Sequence, residues 1–251
     1  MRPQLGAAVA IAAALLAWEA GLGLTGIPEY LLPRPSAIAS KWWETFPVQM
    51  EHLAMTASTT LAGLALGLAV GVAIGLAVVY VRPLQALVLP AFAAFNGIPK
   101  MAVAPLLVIW FGLGSESKVL LAFLMSLFPI FVGSASGLGE IEPDVLDLAR
   151  LAGGTPLRIF RKVRLPHSLP YLSDAVKVAF PLALAGSIVG EFIGGNQGAG
   201  YLILSGQFNL DTPLVFACLL SVTLFTSLGI GALVLLDRLL LGWRPSRRPE
   251  R

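Results

Sequence analysis

The chain has 251 residues, of which 57% are hydrophobic and 12% are charged, and its formal net charge is +3. This composition leaves too little polar surface for a water-soluble globule, and it carries no signature of nucleic-acid binding. The single cysteine, Cys218, excludes an intramolecular disulfide and a cysteine-based metal site. We therefore expect an all-α integral membrane protein.

Six segments are long and apolar enough to cross a bilayer core, which takes about 20 helical residues. In chain order they are residues 6–24, 55–80, 86–112, 118–138, 172–194 and 213–236. The first resembles a signal peptide, because Arg2 precedes it, but its apolar run is longer than a signal-peptide core. We expect about six transmembrane helices.

Between the first two spans, residues 25–54 contain several prolines and the Trp42-Trp43 pair, which suits a membrane interface. We interpret residues 1–54 as the first transmembrane helix with a periplasmic loop. Residues 55–240 are then the transmembrane core, and residues 241–251 are a cytoplasmic tail.

The positive charges predict the orientation. With a cytoplasmic N-terminus, three fall outside, at Arg34, Lys41 and Lys118, and Lys100 lies within a helix. The remaining thirteen fall inside: Arg2, Arg82, Arg150, Arg158, Arg161, Lys162, Arg164, Lys177, Arg238, Arg244, Arg247, Arg248 and Arg251. Because short cytoplasmic loops carry excess Lys and Arg, both termini and the central loop are predicted to be cytoplasmic.

Two of the spans carry helix-modifying residues. The second has glycines at intervals of four, which predict close packing against another helix: Gly63, Gly67, Gly71 and Gly75. The third is interrupted at residues 96–100 and again at Pro105, so it either borders a pathway or simply bends.

The cytoplasmic loop between the fourth and fifth spans is predicted to form two short amphipathic helices. Pro143 opens the first, whose apolar residues recur at helical spacing. Gly153 and Gly154 are expected to end it as a C-terminal glycine cap does. A side chain at Gly153 is also expected to crowd the turn between the two short helices.

A second helix is predicted over residues 157–164. Thr155 and Pro156 are typical of a helix N-cap and first position. Leu165-Pro166 is expected to stop the helix, which carries Phe160 and Val163 on one face. A basic helix lying on anionic lipid is the alternative, but it explains the arginines and not the glycine pair or the restart.

This loop resembles the "EAA" loop in the membrane subunits of binding-protein-dependent ABC importers. The matching positions are Asp147, Ala149, Gly153, Val163, Leu165 and Pro166, while Asp147 and Leu148 replace the usual Glu and first Ala. The resemblance implies that residues 143–165, with Thr155, Pro156 and Phe160, couple the chain to an ATPase subunit.

Other stretches resemble the branch of this family that transports nitrate, sulfonates such as taurine, and pyrimidine-type vitamin precursors. They are residues 98–100, 104–107, 110–114, 190–194 and 198–203. The resemblance implies a type I importer fold with two permease copies, two ATPase subunits and a periplasmic binding protein. The sequence has no G-x-x-x-x-G-K-[ST] motif, so we expect ATP and Mg²⁺ to be bound by the partner and no cofactor by this chain.

The rival interpretation is an ion-coupled secondary transporter, which would need acids within the membrane and often shows inverted repeats. Glu191 is the one candidate acid, and no repeat is evident. We assign Glu191, with Asn96 and Asn196, to an outer gate, or alternatively Glu191 to capping backbone amides. His52 and His167 have no partners at metal-ligand spacing and are expected to be surface or interface histidines.

Overall fold

The computed structural model describes the backbone of residues 2–242, and the side chains of that range except at residues 2–5, 7, 8, 82, 89 and 93. The predicted cytoplasmic tail therefore lies, from residue 243 onward, outside the described residues. The described part of the chain is helical and without strands. Its helices are α1 (Arg2–Thr25), α2 (Pro35–Tyr80), α3 (Arg82–Asn96), α4 (Lys100–Phe111), α5 (Ser115–Gly139), α6 (Pro143–Leu151), α7 (Pro156–Ile159), α8 (Leu165–Gly194), α9 (Ala199–Phe208) and α10 (Thr212–Leu240).

Four stretches in the described residues are long and apolar enough to cross a membrane: α2, α5, Pro156–Gly194 and α10. The pair α3 and α4 makes a fifth span if the two helices, bent by 92° at the break, count as one. The apolar part of α1, Val9–Thr25, is shorter than these spans. The structure thus supports four or five spans, where the sequence predicts about six.

Helix α2 differs most from its predicted bounds. It begins at Pro35, twenty residues before the predicted start, and runs through Pro47 for 46 residues. At 1.5 Å per residue it is about 69 Å long, more than twice the thickness of a bilayer core. Much of the segment predicted as a loop is therefore a helical extension, on which Trp43 is exposed.

The chain divides into two compact units. One comprises Met1–Thr56 and Gly195–Leu224, and the other Ala57–Gly194 and Phe225–Arg251. In the first unit, Lys41 forms an ion pair with Asp211, and the Trp42 indole donates a hydrogen bond to Ser221. These contacts tie the N-terminal part of α2 to the chain that follows α9.

The second unit is built on small residues. A Cβ placed on any of the four glycines at intervals of four in α2 would come within 3 Å of α5, so the two backbones approach closely there. Helix α5 packs in turn on α8, where Gly133 faces Ala175 and Gly186 faces Leu121. Thr59 and Ser187 share a buried hydrogen bond between α2 and α8.

Helix α10 presents a largely apolar exposed surface that includes Leu228, Leu235 and Leu239. In a membrane such a surface is solvated by lipid chains, which explains why the chain is so rich in hydrophobic residues.

Candidate functional site

The segment between α5 and α8 begins with a helix whose ends are both specified locally. Pro143 occupies the first turn of α6, where its missing N–H costs nothing. At the other end Gly153 has φ +75°, and its N–H donates to the Arg150 carbonyl at 3.0 Å. Gly154 N–H donates to the Ala149 carbonyl at 3.0 Å. This pair of bonds is a Schellman motif, which satisfies the last carbonyls of α6.

The two glycines are needed for different reasons. A Cβ at Gly153 would meet nothing within 4 Å, so the expectation that a side chain would crowd the turn is wrong at this position. Its left-handed backbone is what favours glycine there. Crowding applies to Gly154 instead, where a Cβ would lie 2.5 Å from the Ala149 oxygen.

The chain becomes helical again at α7, as the sequence predicts. The Thr155 hydroxyl accepts a hydrogen bond from the Arg158 N–H, and Pro156 follows in the first turn. The predicted stop at Leu165-Pro166 is wrong, because α7 continues through a π-helical turn, Phe160–Arg164, directly into α8. Leu165 N–H donates to the Phe160 carbonyl, and this wider turn accommodates a proline that would disturb an α-helical turn.

An aromatic and cationic cluster fixes the base of this segment. The Phe160 ring packs edge-on against the Tyr80 ring, with the ring centroids 6.5 Å apart. The Arg164 guanidinium lies over the Tyr80 ring, 5.4 Å from its centroid. Arg164 also donates to the Leu138 carbonyl at the end of α5. The role of Tyr80 was not predicted, and its only sequence signal is an aromatic residue just before Arg82 at the end of a long span.

The outer face of the segment is apolar and exposed. Leu148 is 68% exposed and Leu151 is 87% exposed, and Val145 and Leu157 are exposed as well. Arg158, Arg161 and Lys162 are exposed on the same segment. We call the four apolar residues the apolar ridge. Exposed apolar side chains on a segment that also carries exposed charges are typical of a protein interaction site.

The positions matched to the EAA pattern lie along this segment. Asp147 forms an exposed ion pair with Arg150 at 2.7 Å, on the solvent side of α6. Ala149 and Gly153 build the turn after α6, whereas Val163 lies in the π-helical turn and Leu165-Pro166 begin α8.

The residues predicted for an outer gate have different environments. Glu191, near the end of α8, is 1% exposed, and the preceding Gly190 packs against Lys118 of α5. Asn96 ends α3, where it is exposed and accepts a hydrogen bond from Lys100 at 2.7 Å. Asn196 is exposed and belongs to the other compact unit. Burial of Glu191 agrees with the expectation that its carboxylate avoids lipid.

Comparison with known proteins places this architecture in a family. Residues 63–242 match the family described as "Binding-protein-dependent transport system inner membrane component". A riboflavin transport system permease protein of Chloroflexus aurantiacus is 38% identical over 97% of this chain and 92% of its own length.

Two further relatives are similar over most of their length. A formylaminopyrimidine transport permease protein of Halalkalibacterium halodurans is 32% identical, with 92% of each chain covered. A putative aliphatic sulfonates transport permease protein of Escherichia coli is 31% identical over 91% of this chain and 88% of its own length.

A solved structure shares the fold. The inward-facing methionine ABC transporter MetNI contains a chain with a TM-score of 0.60 and 20% identity, covering 76% of this chain and 98% of that one. Members of the matched family work with a separate ATP-hydrolysing subunit and a binding protein. Membership of this family favours an ABC importer over an ion-coupled secondary transporter. This chain therefore belongs to the inner membrane components of binding-protein-dependent transport systems and is the multi-pass transmembrane permease subunit of an ABC importer.

Proposed function

We propose that residues 143–165 dock on an ABC ATPase subunit, and that two copies of this chain frame one translocation pathway above two such subunits. ATP and Mg²⁺ are bound by the ATPases and not by this chain. A periplasmic binding protein delivers the solute. Closure of the ATPases around ATP pushes on α6 and α7 and tilts the transmembrane helices, which alternately opens the pathway inward and outward.

The observation that carries this proposal is the exposure of the apolar ridge. The ridge lies on a segment that contains the ordered turn at Gly153 and Gly154. A surface helix of an isolated soluble domain would bury Leu148 and Leu151, because burying one leucine contributes about 1.5–3 kcal/mol. Here both side chains stay exposed, although the Schellman turn and the hydrogen bond of Arg164 to Leu138 order the segment around them. A partner surface removes them from water.

The docking proposal is tested by Leu148→Glu in a complex reconstituted with the ATPase subunit. A charge at the centre of the ridge should lower binding-protein-stimulated ATP hydrolysis roughly ten-fold or more, as loss of an interface hot spot does. The matched control is Asp144→Asn, an exposed change on the same helix. Normal stimulated hydrolysis by Leu148→Glu, at normal membrane levels, would contradict the docking.

The proposed orientation places both termini and the segment 139–170 in the cytoplasm, on the charge bias of the sequence. Single-cysteine variants at Leu151 and Trp43, both highly exposed, test it in a Cys218→Ser background. A membrane-impermeant thiol reagent applied to intact cells should label position 43 and not position 151. The reverse pattern would overturn the orientation and the docking with it.

For the solute, we propose a vitamin-like or vitamin-precursor heterocycle, with nitrate or a sulfonate such as taurine as the alternative class. The riboflavin and formylaminopyrimidine permeases among its relatives support the first class, and the aliphatic sulfonate permease supports the second. Uptake of radiolabelled riboflavin, a formylaminopyrimidine and taurine by cells expressing the complete transporter distinguishes them.

We further propose that Glu191, with Asn96 and Asn196, contributes to the outer gate. In a homodimer two Glu191 carboxylates would approach the symmetry axis, where their repulsion favours the open, hydrated state. Glu191→Gln keeps the shape and removes the charge. Reduced transport at normal expression supports the gate role, whereas unchanged transport and unchanged stimulated hydrolysis eliminate it. Lost expression alone indicates a structural role instead.

A further inference from the structure

The start of α9 is capped by two side chains from one face of α2. His52 Nδ1 accepts a hydrogen bond from the Gly198 N–H at 3.0 Å. One turn later on α2, Thr56 Oγ1 accepts from the Ala199 N–H at 2.8 Å. Gly198 itself has φ +109°, so the chain enters α9 through a conformation that other residues rarely adopt. These two acceptors satisfy donors that a helix N-terminus leaves without partners.

The contact with Gly198 specifies the protonation state of His52. A backbone N–H can only donate, so Nδ1 must present its lone pair. The ring is therefore neutral and carries its proton on Nε2. Its plane lies almost parallel to the Tyr201 ring of α9, with the centroids 5.7 Å apart and an interplanar angle of 18°. His52 thus holds the first turn of α9 both by capping and by stacking.

The other histidine of the chain makes the opposite kind of contact. His167 Nδ1 lies 2.8 Å from the Gly137 carbonyl oxygen, which can only accept. Nδ1 of His167 must carry a proton, and it keeps that proton when the ring becomes an imidazolium. The sequence contains two histidines, and only the hydrogen bond of His52 is lost on protonation.

The titratable side chains to consider around His52 come from α9, from α2 itself and from the chain that leads into α9. From α9 the titratable side chain that faces it is Tyr201. On its own helix the adjacent carboxylate is Glu51, which is exposed. In the chain that leads into α9, Asn196 and Gln197 are uncharged, and Glu191 is the carboxylate nearest in sequence. The N-terminus of α9 itself carries partial positive charge and disfavours a cation beside it.

We propose that His52 is a proton-sensitive cap: its neutral ring holds the N-terminus of α9, and protonation of the ring releases that turn. Protonation removes the acceptor from Gly198 and places a positive charge against the helix N-terminus. Both effects act in the same direction, and histidine is the side chain that ordinarily changes charge between pH 5 and 8. This role goes beyond the proposed transport function and does not depend on it.

Hydrogen–deuterium exchange of the complete chain in lipid nanodiscs tests the proposal, with rates for residues 198–203 corrected for the intrinsic effect of pH. In the unmodified protein, exchange should be about five-fold faster at pH 5.5 than at pH 7.5, as expected for loss of one helix cap. In His52→Asn the amide oxygen replaces Nδ1 as acceptor at both pH values. The difference in exchange rate between the two pH values, which we call the pH step, should therefore vanish. In His52→Phe the ring still stacks on Tyr201 but accepts nothing, so exchange should be fast at both.

Two controls separate this role from a general structural one. Thr56→Val removes the second cap, so it should raise exchange at both pH values and leave the pH step in place. His167→Asn should also leave the step unchanged. A full pH step in His52→Asn, or no step in the unmodified protein, would overturn the proposal. Loss of the step in His167→Asn would assign the effect to the other histidine.

Discussion

Two ion pairs of nearly equal length lie in very different parts of this molecule. Lys177 of α8 bonds Asp237 of α10 at 2.8 Å, with 19% and 15% of the two side chains exposed. Arg150 bonds Asp147 within α6 at 2.7 Å, with 65% and 62% exposed. The first pair joins two helices in a poorly solvated setting, whereas water screens the second. Geometry alone therefore does not rank them, because solvation decides their energies.

The glycines of the same two regions differ in a parallel way. Gly67 in α2 is needed because Ser126 and Ile130 of α5 occupy the space of a side chain. Gly153 is needed because of its own backbone, with open space around it. The close approach of α2 and α5 is thus specified by contacts between helices, whereas the turn after α6 is specified by its own backbone. A change at Gly153 should therefore disturb the fold less than a change at Gly67.

The largest expected effect is that of Gly67→Leu. The side chain would collide with α5, and overpacking of this severity costs about 3 kcal/mol or more. Thermal unfolding of the detergent-solubilised chain, monitored by size-exclusion chromatography, should show strong destabilisation or loss of the folded protein. Gly231→Leu in α10 is the control, because a Cβ there meets nothing within 4 Å. Equal stability of the two variants would refute the close approach of α2 and α5.

Lys177→Met should have the next largest effect. It leaves Asp237 and the neighbouring Asp174 without their shared ammonium group, and breaking such a pair costs roughly 3 kcal/mol. The same unfolding assay measures the loss. Adding Asp237→Leu should recover a part of it, because the carboxylate that faced the ammonium group is then removed. A single variant as stable as the unmodified protein would show that this pair is as weak as a surface pair.

Gly153→Ala should cost about 1 kcal/mol, the usual penalty for a side chain at positive φ. Gly153→Asn should cost less, since asparagine tolerates this conformation better than alanine. The measurement is the rate of proteolysis of residues 143–165 in the chain without its ATPase. Cleavage should be fastest with alanine at position 153, slower with asparagine and slowest with glycine. Equal cleavage in all three would indicate that the turn does not depend on the backbone of residue 153.

Arg150→Gln should have the smallest effect, under about 0.5 kcal/mol, as for other exposed pairs within one helix. Thermal unfolding should not resolve it from the unmodified protein. A loss comparable to that of Lys177→Met would remove the contrast between the two ion pairs.

Sequence rules predicted the local features well, because those features depend on neighbours along the chain. The turn at Gly153, the cap at Thr155 and the helix start at Pro143 each follow from one residue and its immediate surroundings. The close packing of the α2 glycines also followed from their spacing alone.

Two of the errors arose where distant contacts override local preference, and one arose where a π-helical turn replaces an expected helix end. Pro47 was expected to lie in a loop, yet α2 runs through it, and the N-terminal part of this helix is held by Trp42 and Lys41. Leu165-Pro166 was expected to end a helix, but the π-helical turn carries the chain past it. The capping role of His52 was missed because its partner lies 146 residues away in the sequence.

The continuity of α7, the π-helical turn and α8 has a mechanical consequence. From Pro156 to Gly194 the chain forms 39 residues without a loop, about 58 Å of nearly uninterrupted rod. A π-helical turn holds one residue more than the α-helical turn it replaces, so converting it to α-helix would rotate one side against the other by about 100°. Under the proposed docking, a push on the apolar ridge is therefore expected to turn α8 about its own axis as well as to tilt it.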